Sequence, residues 1–222
     1  MDYSTLIASA INFWPMQDAT IDAIDVRGGE TLLGTGDVAS GLAGPNAWLP
    51  RSFNINEEGT LSRAAYVGAQ GSVAHTVIGW FRRSGGPPLA DPFFQIGVLG
   101  LGVVGAASMS ASYNGVANPT FNVGWNDQLW HLGMWSRSAS GLIGTMAKDF
   151  TSFDYVSVAT PIPGGLVQVG DTSISSSFRV AGLAVFNRKL TVGEFAVYFL
   201  GPQRRAPQSI VRGSGKIGRI GR

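Results

Sequence analysis

The sequence predicts an all-β sandwich, and three observations carry that prediction. Apolar residues alternate in short runs such as Phe53-Asn54-Ile55 and Phe178 to Phe186, the runs are punctuated by Gly, Pro, Asn and Ser, and one helical signal stands near the C-terminus. Alternation places successive side chains on opposite faces of a strand, and closely spaced turn residues fold such strands into antiparallel layers. A chain of 222 residues is long enough for one such domain with a substantial core.

The elements follow in order. Residues 1–11 read as a short N-terminal arm. Phe13-Trp14-Pro15-Met16 reads as an opening strand, and Pro15 places it at an edge or a bulge because proline cannot donate to a ladder. From Asp18 to Pro50 the chain is rich in Gly, Asp and Ala with little alternation, which predicts loops and short strands. Phe53-Asn54-Ile55, Leu61 and Tyr66-Val67 form short strands around a Glu57-Glu58-Gly59 turn. His75 to Arg83 is a strand that Ser84-Gly85-Gly86-Pro87-Pro88 ends. Phe93 to Tyr113 reads as two strands, followed by Asn114-Gly115, a hairpin signal because a type I′ turn needs positive φ at both central residues. Within it, the apolar run Val98 to Ala107 is broken by glycines and falls short of the ~20 residues that a spanning helix needs, so it is assigned to the sandwich.

Trp125 to Trp135 is the next strand, with a turn over Ser136 to Gly141 before Leu142 to Met146. Leu166 to Gly170 precedes the closing strand, which leads through a turn carrying Asn187, Arg188 and Lys189 into a helix over Thr191 to Leu200. Thr191 as N-cap with Glu194 three residues on is a capping box. No repeat of solenoid or propeller length is visible.

Charge divides the chain. Only 14% of residues are charged and 45% are hydrophobic, against a usual charged share near ~25%, which predicts a compact domain with extensive contacts to other subunits. Up to Leu200 there are 10 basic and 14 acidic residues, a net of −4; from Gly201 onward there are 6 basic residues and no acid, a net of +6. The pI of about 9.2 therefore belongs to the C-terminal extension. No cysteine is present, so disulfides contribute nothing. Met1-Asp2-Tyr3 lacks the basic start of a signal peptide, and the apolar stretch after it is interrupted at Asn12.

Four motifs in order resemble one family. Phe13-Trp14-Pro15-Met16, the His75-Thr76-Val77-Ile78-Gly79-Trp80-Phe81-Arg82-Arg83 strand, Trp130-His131-Leu132-Gly133, and the closing segment from Phe178 to Leu200 resemble the landmarks of concanavalin A-like, laminin-G-like jelly rolls. The resemblance covers Phe13 to Leu200 and implies three parts: an N-terminal arm over 1–11, a laminin-G-like jelly-roll β-sandwich over 12–200, and a basic extended C-terminal tail over 201–222. His75 stands where the family often has an aromatic, and Lys148-Asp149-Phe150 where it has an Asn-Gly type of turn. The fold leaves the function open, because it serves lectins, glycanases, adhesion modules and viral coat decorations alike.

Candidate chemistry is sparse. A glycan-cleaving enzyme of this fold needs a general acid and a second carboxylate flanking one bond, and no E-x-D-x-x-E pattern occurs; Glu57 and Glu58 are adjacent and would face opposite sides of a strand. With His75 and His131 the only histidines and no cysteine, a zinc site of the Cys/His kind is excluded by count. No catalytic residue is assigned, and the chain reads as a non-enzyme. Asp18, Asp22, Asp25 and Asp37 supply hard oxygens that could hold the calcium common in laminin-G-like domains, but the spacing D-x-D-x-D-G is absent, so no metal or cofactor is assigned. Of six tryptophans, Trp48, in a loop between Asn46 and Pro50, is the candidate for a glycan contact.

The tail GPQRRAPQSIVRGSGKIGRIGR has no hydrophobic period and is expected to be disordered alone. It could neutralise phosphates on a nucleic acid or dock as an extended arm on a neighbouring subunit. Spaced apolar residues favour docking, with Arg204, Arg205, Ile210, Val211, Arg212, Lys216, Ile217, Arg219, Ile220 and Arg222 as the contacts. The resemblance, the low charge and the arms together predict a structural virion protein of a tailed bacteriophage, made in the host cytoplasm. It would be a capsid decoration (cement) protein or a tail component, assembled with coat or tail subunits or with its own copies, and without a membrane partner. The alternative is a carbohydrate-binding module for host-surface or extracellular glycans.

Overall fold

The computed structural model describes residues 1–68, 70–71, 73–85, 92–97, 99–104, 108–113, 116–117, 121–122, 124, 127–140, 143–156, 164–170 and 177–202. Helix α1 (Tyr3–Ala8) precedes strands β1 (Asn12–Trp14), β2 (Leu33–Thr35), β3 (Val38–Asn46), β4 (Leu49–Ile55) and β5 (Thr60–Tyr66). Then come β6 (His75–Gly85), β7 (Pro92–Ile96), β8 (Leu99–Val104), β9 (Ser108–Tyr113), β10 (Val116–Ala117) and β11 (Phe121–Asn122). The chain continues through β12 (His131–Arg137), β13 (Ile143–Lys148), β14 (Thr151–Val156), β15 (Gly165–Val169), β16 (Ser177–Phe186) and α2 (Val192–Leu200).

The strands form two antiparallel sheets of eight, an all-β sandwich as the sequence predicts. The first runs β14-β13-β12-β6-β16-β4-β3, with β1 also paired to β16; the second runs β10-β9-β8-β7-β15-β5-β2, with β11 paired to β9. Neighbours distant in sequence, such as β6 and β16, make this a jelly-roll order rather than a meander. Trp14, Phe53, Phe81, Phe94, Trp135 and Val167 fill the space between the sheets.

A second cluster lies on the outer face of the first sheet. Leu132, Met134, Trp80, Ala181 and Leu49 point outward there and are covered by Leu6 of α1 and by Phe195 and Tyr198 of α2. The 1–11 stretch, expected as an arm, forms α1, capped by the Asp2 carboxylate on the Thr5 amide at 2.8 Å, with Leu6 fully buried. Trp80 is buried beneath this layer, whereas Trp130 stands just before β12 and is half-buried.

Gly182 is the hinge of the closing strand. β16 pairs with β4 through Phe178–Val180 and with β1 through Leu183–Val185, and the register shifts between Ala181 and Ala184. Gly182 has φ of 54°, its amide donates to the Pro15 carbonyl at 3.1 Å, and its carbonyl accepts from the Tyr198 hydroxyl. A Cβ there would stand 2.5 Å from Leu49 Cδ1, so glycine is required by both dihedral and space. Pro15 follows β1 at this bulge, the position that its missing N–H tolerates.

Several local expectations are refined. Between Asp18 and Pro50, β3 is nine residues long; it shows no alternation because it is an edge strand, half-exposed, with two register shifts against β4. Phe93 to Tyr113 holds parts of three strands rather than two, β8 being the apolar run. Asn114-Gly115 and Trp125 lie outside the described residues, although Val116 pairs with Tyr113 on either side of the predicted turn. Lys148 pairs with Thr151, so Asp149-Phe150 is a two-residue hairpin turn, and Asp149 takes a positive φ of 52°, a conformation that such turns favour. The capping box of α2 is present as read: Thr191 accepts from the Glu194 amide, and the Glu194 carboxylate accepts from the Thr191 amide. Among the described residues no helix is long and apolar enough to cross a membrane. The tail positions from Arg204 to Arg222 lie outside the described residues.

Candidate functional site

The outer face of the first sheet is only partly covered by the helices, and a groove opens beside the N-terminus of α2. Its volume is about 390 Å³, and it is lined by Met134 of β12, Thr145 of β13, Ser152 and Asp154 of β14, and the turn residues Lys189 to Val192. The pleat puts Ser152 and Asp154 on one face of β14. The β13–β14 pairing sets Asp154 opposite Thr145, whose hydroxyl donates to its carboxylate. Lys189 Nζ lies 4.0 Å from Asp154 Oδ1. Met134, Leu190 and Val192 supply apolar surface between these polar groups. Next to the groove, a narrow apolar pocket of about 50 Å³ is closed by Ala147, Phe150, Phe195 and Ala196.

The turn into α2 is held rigidly. Arg188 pairs with Glu194 at 2.7 Å, and its carbonyl accepts from the Thr76 hydroxyl at 2.7 Å, which in turn accepts from the Leu190 amide at 3.0 Å. The Arg188 hydrogen bond holds the Glu194 carboxyl below its ordinary range. Lys189 and Thr191 are thereby presented to the groove by backbone that is anchored on both sides.

The groove combines polar and apolar groups. One carboxylate, one ammonium and three hydroxyls surround an apolar strip, the composition that orients a polyhydroxylated ring by its edges while its CH face packs on the strip. Among its lining residues Asp154 is the single carboxylate, so the two-carboxylate arrangement of glycoside cleavage is not assembled there.

The sequence-selected residues fall elsewhere. Trp48 is half-buried in the β3–β4 turn, edge-on to Tyr3 at 4.7 Å and to Tyr198 at 6.1 Å, with its indole against the Cα of Gly201. Tyr3 also lines a second groove of about 430 Å³, between α1 and the end of α2. Asp25 is consumed by structure: its two oxygens accept from Asn12 Nδ2 and from the amides of Phe13, Arg27, Gly28 and Glu30 at 2.7 to 3.1 Å. Burial opposes ionisation of this carboxyl, but these donors outweigh it and hold its pKa below the ordinary value. Asp18 and Asp22 likewise accept from the backbone amides of Ile24 and Gly34, while Asp37 is exposed. Glu57 and Glu58 sit on an exposed turn, with Glu58 at a φ of 62°.

The two histidines are opposites. His131 lies between two carboxylates, Nε2 at 2.7 Å from Asp127 and Nδ1 at 2.8 Å from Asp149. Burial works against the imidazolium, but hydrogen bonds to Asp149 and Asp127 prevail and raise its pKa, because only the doubly protonated ring donates to both. Asp149 also accepts from the Leu132 amide at 3.0 Å, so the hairpin turn is clamped to β12. His75, directly opposite Arg137 in the sheet, is buried; desolvation and the nearby guanidinium push its pKa down to about 3. Neither histidine lines the groove.

Sequence pattern singles out none of Asp154, Ser152 and Thr145, and marks Lys189 only as a residue of the closing turn. No spacing links residues 145, 154 and 189; only strand pairing and the α2 turn bring them together. The one available signal was Lys189 in the closing turn.

No family model matches the sequence, and no curated protein matches it. Solved structures do match in fold. Botulinum neurotoxin type C, described as entering cells through interaction with two ganglioside molecules, superposes with a TM-score of 0.65 over 90% of this chain at 12% identity. The binding domain of Paraclostridial Mosquitocidal Protein 1 gives 0.66 over 88% at 11% identity. The receptor-binding domain of botulinum neurotoxin type G gives 0.61 over 86% at 12% identity. The chain spans about half the length of these structures, 53%, 52% and 50% respectively. At such identities the likeness is one of fold: this chain has the β-sandwich architecture found in a set of receptor-binding domains.

Proposed function

We propose that the protein is a non-enzymatic recognition module that binds a glycan in the groove between β14 and the start of α2. The observation that carries this reading is the groove's lining, Asp154, Lys189, Ser152, Thr145 and Thr191 around Met134, Leu190 and Val192. The sandwich shared with receptor-binding domains supports it, one of them, the binding domain of botulinum neurotoxin DC, described in complex with SialylT. Trp48, packed with Tyr3 beside the second groove, is a further aromatic contact in this proposal. A glycan array probed with the full chain, with and without chelator, tests it. Binding should survive chelation and fall at least tenfold in Asp154→Ala; an array without a single hit sinks the reading. Hydrolysis of a bound glycan, abolished by one Asp or Glu substitution, overturns the non-enzymatic part.

A second reading is a bacteriophage decoration or tail protein that attaches to coat or tail subunits through its tail. The charge division favours it: a body of −4 and an extension of +6 with Ile210, Val211, Ile217 and Ile220 spaced among its glycines. Such a segment can pair its cations with carboxylates while its isoleucines fill pockets. The two readings are compatible, since a surface protein of a particle can hold host glycans. Mass spectrometry of purified particles, finding the protein at a fixed stoichiometry that is lost on removal of residues 203–222, would support the second; unchanged attachment of the truncated protein would sink it.

A further inference from the structure

On the same outer sheet face, apart from the groove, two arginines stand directly opposite one another. Arg82 of β6 and Arg179 of β16 are register partners, and Arg179 in turn faces Asn54 of β4. The neighbouring register row holds Trp80 and Ala181, both part of the outward cluster, so the pleat sends Arg82 and Arg179 to the outer face as well. Half-buried Trp130, one residue before β12, continues the row on the far side of Arg82, since His131 pairs with Phe81.

This pair is costly as it stands. Like charges directly opposite in an antiparallel ladder repel, and half-buried charge needs a counter-charge or hydrogen bonds. Among the described residues no carboxylate pairs with either guanidinium. Arg82 Nε donates to the Gln128 carbonyl at 2.6 Å, whereas among the described residues the Arg179 side chain has no hydrogen-bond partner and its Nε is enclosed without an acceptor. Desolvation and the charge of Arg82 accordingly lower the pKa of Arg179. Two adjacent guanidinium forks, one without an acceptor among the described residues, beside an amide and a tryptophan, are complementary to a planar oxyanion carried on a polar ring. Guanidinium matches carboxylate bidentately, and a desolvated fork gains more from that match than an exposed one.

We propose that Arg82 and Arg179 form a carboxylate-binding subsite for an acidic saccharide, with Asn54 and Trp130 at its flanks. This subsite rests on the glycan-binding reading above and narrows its ligand class to uronate- or sialate-type sugars. Occupation would neutralise the repulsion between the strands and supply the missing acceptor for Arg179.

The experiment is calorimetric titration of the full chain with digalacturonate, its methyl ester, neutral galactobiose and a glutamate tetrapeptide, repeated on Arg179→Gln and Arg82→Gln. The basic residues after Gly201 are the same in all three proteins, so differences between them report the sheet face alone. Digalacturonate should bind the parent at least tenfold more tightly than its methyl ester, and either substitution should remove that preference. Without ligand, Arg179→Gln should melt no lower than the parent, because a repulsive pair has been relieved, and it should lose the rise in Tm that digalacturonate produces in the parent. Equal binding of acid and ester overturns the subsite and leaves glycan binding standing. Absence of binding by any saccharide overturns both. Arg179-dependent binding of the glutamate peptide alone overturns the saccharide assignment in favour of an acidic protein partner.

Discussion

Acidification should destabilise this protein well before its carboxylates titrate, and His75 is the reason. Its ring, at the start of β6 and opposite Arg137, is buried, and its pKa is pushed from 6.5 down to about 3. In the unfolded chain the same imidazole takes up a proton near pH 6.5. Between those values the unfolded state binds one more proton than the folded state, so stability falls as pH falls, by ~1.4 kcal/mol per unit. From pH 6.5 to 4.5 the loss is ~2–3 kcal/mol, a large fraction of the ~5–15 kcal/mol that holds a domain together. Over the same interval His131, whose pKa is raised, keeps its proton in the folded state while the unfolded state completes its protonation just below pH 6.5, so it opposes the His75 slope only at the top of the interval; Asp25, Asp127 and Asp149, whose pKa values are lowered, contribute mainly below it. The assay is urea unfolding at half-unit pH steps, comparing the parent with His75→Phe, which keeps a planar ring of similar size but removes the titrating group. The parent midpoint should fall steadily below pH 6.5 and the variant's should stay nearly flat to pH 5. Equal slopes in the two proteins would refute the assignment of the acid sensitivity to His75.

Other outcomes follow from the same geometry. In NMR titration the two histidines should separate: His75 stays neutral to below pH 4, while His131 titrates above 6.5 and moves back down in Asp149→Asn; the stability its ion pairs contribute is present below pH 6.5 and disappears as pH rises through the raised value. Trp80→Ala opens a cavity beneath α2 and should cost ~3–5 kcal/mol in denaturant unfolding, with Trp130→Ala costing less because its ring is half-exposed. Tyr198→Phe deletes the hydrogen bond to the Gly182 carbonyl and should cost ~1–3 kcal/mol, since that acceptor lies in the buried bulge. Thr191→Ala removes the cap of α2 and should cost ~1 kcal/mol, and because the same turn carries Lys189 it should also weaken any ligand held in the groove.

By itself the sequence determined the architecture and the parts of it governed by local rules. Alternation in β4, β6, β12 and β16, the Thr191–Glu194 capping box and the Glu57-Glu58-Gly59 turn are written in neighbouring residues, because strand faces repeat every second residue and caps span one helical turn. Where local pattern is absent the sequence says less: edge strand β3 has no buried face to impose alternation, and α1 is a six-residue helix whose amphipathicity is too brief to read and whose stability comes from Leu6 packed into the outer cluster. The candidate sites were decided by tertiary structure alone. Thr145, Asp154 and Lys189 meet because β13 pairs with β14 and the closing turn folds over their outward face; Arg82 and Arg179, almost a hundred positions apart, become opposed charges only through the register of β6 with β16. Local sequence encodes which way a side chain points from its own strand, while the identity of the residue across the ladder is set by long-range pairing, and it is across the ladder that both candidate sites are assembled.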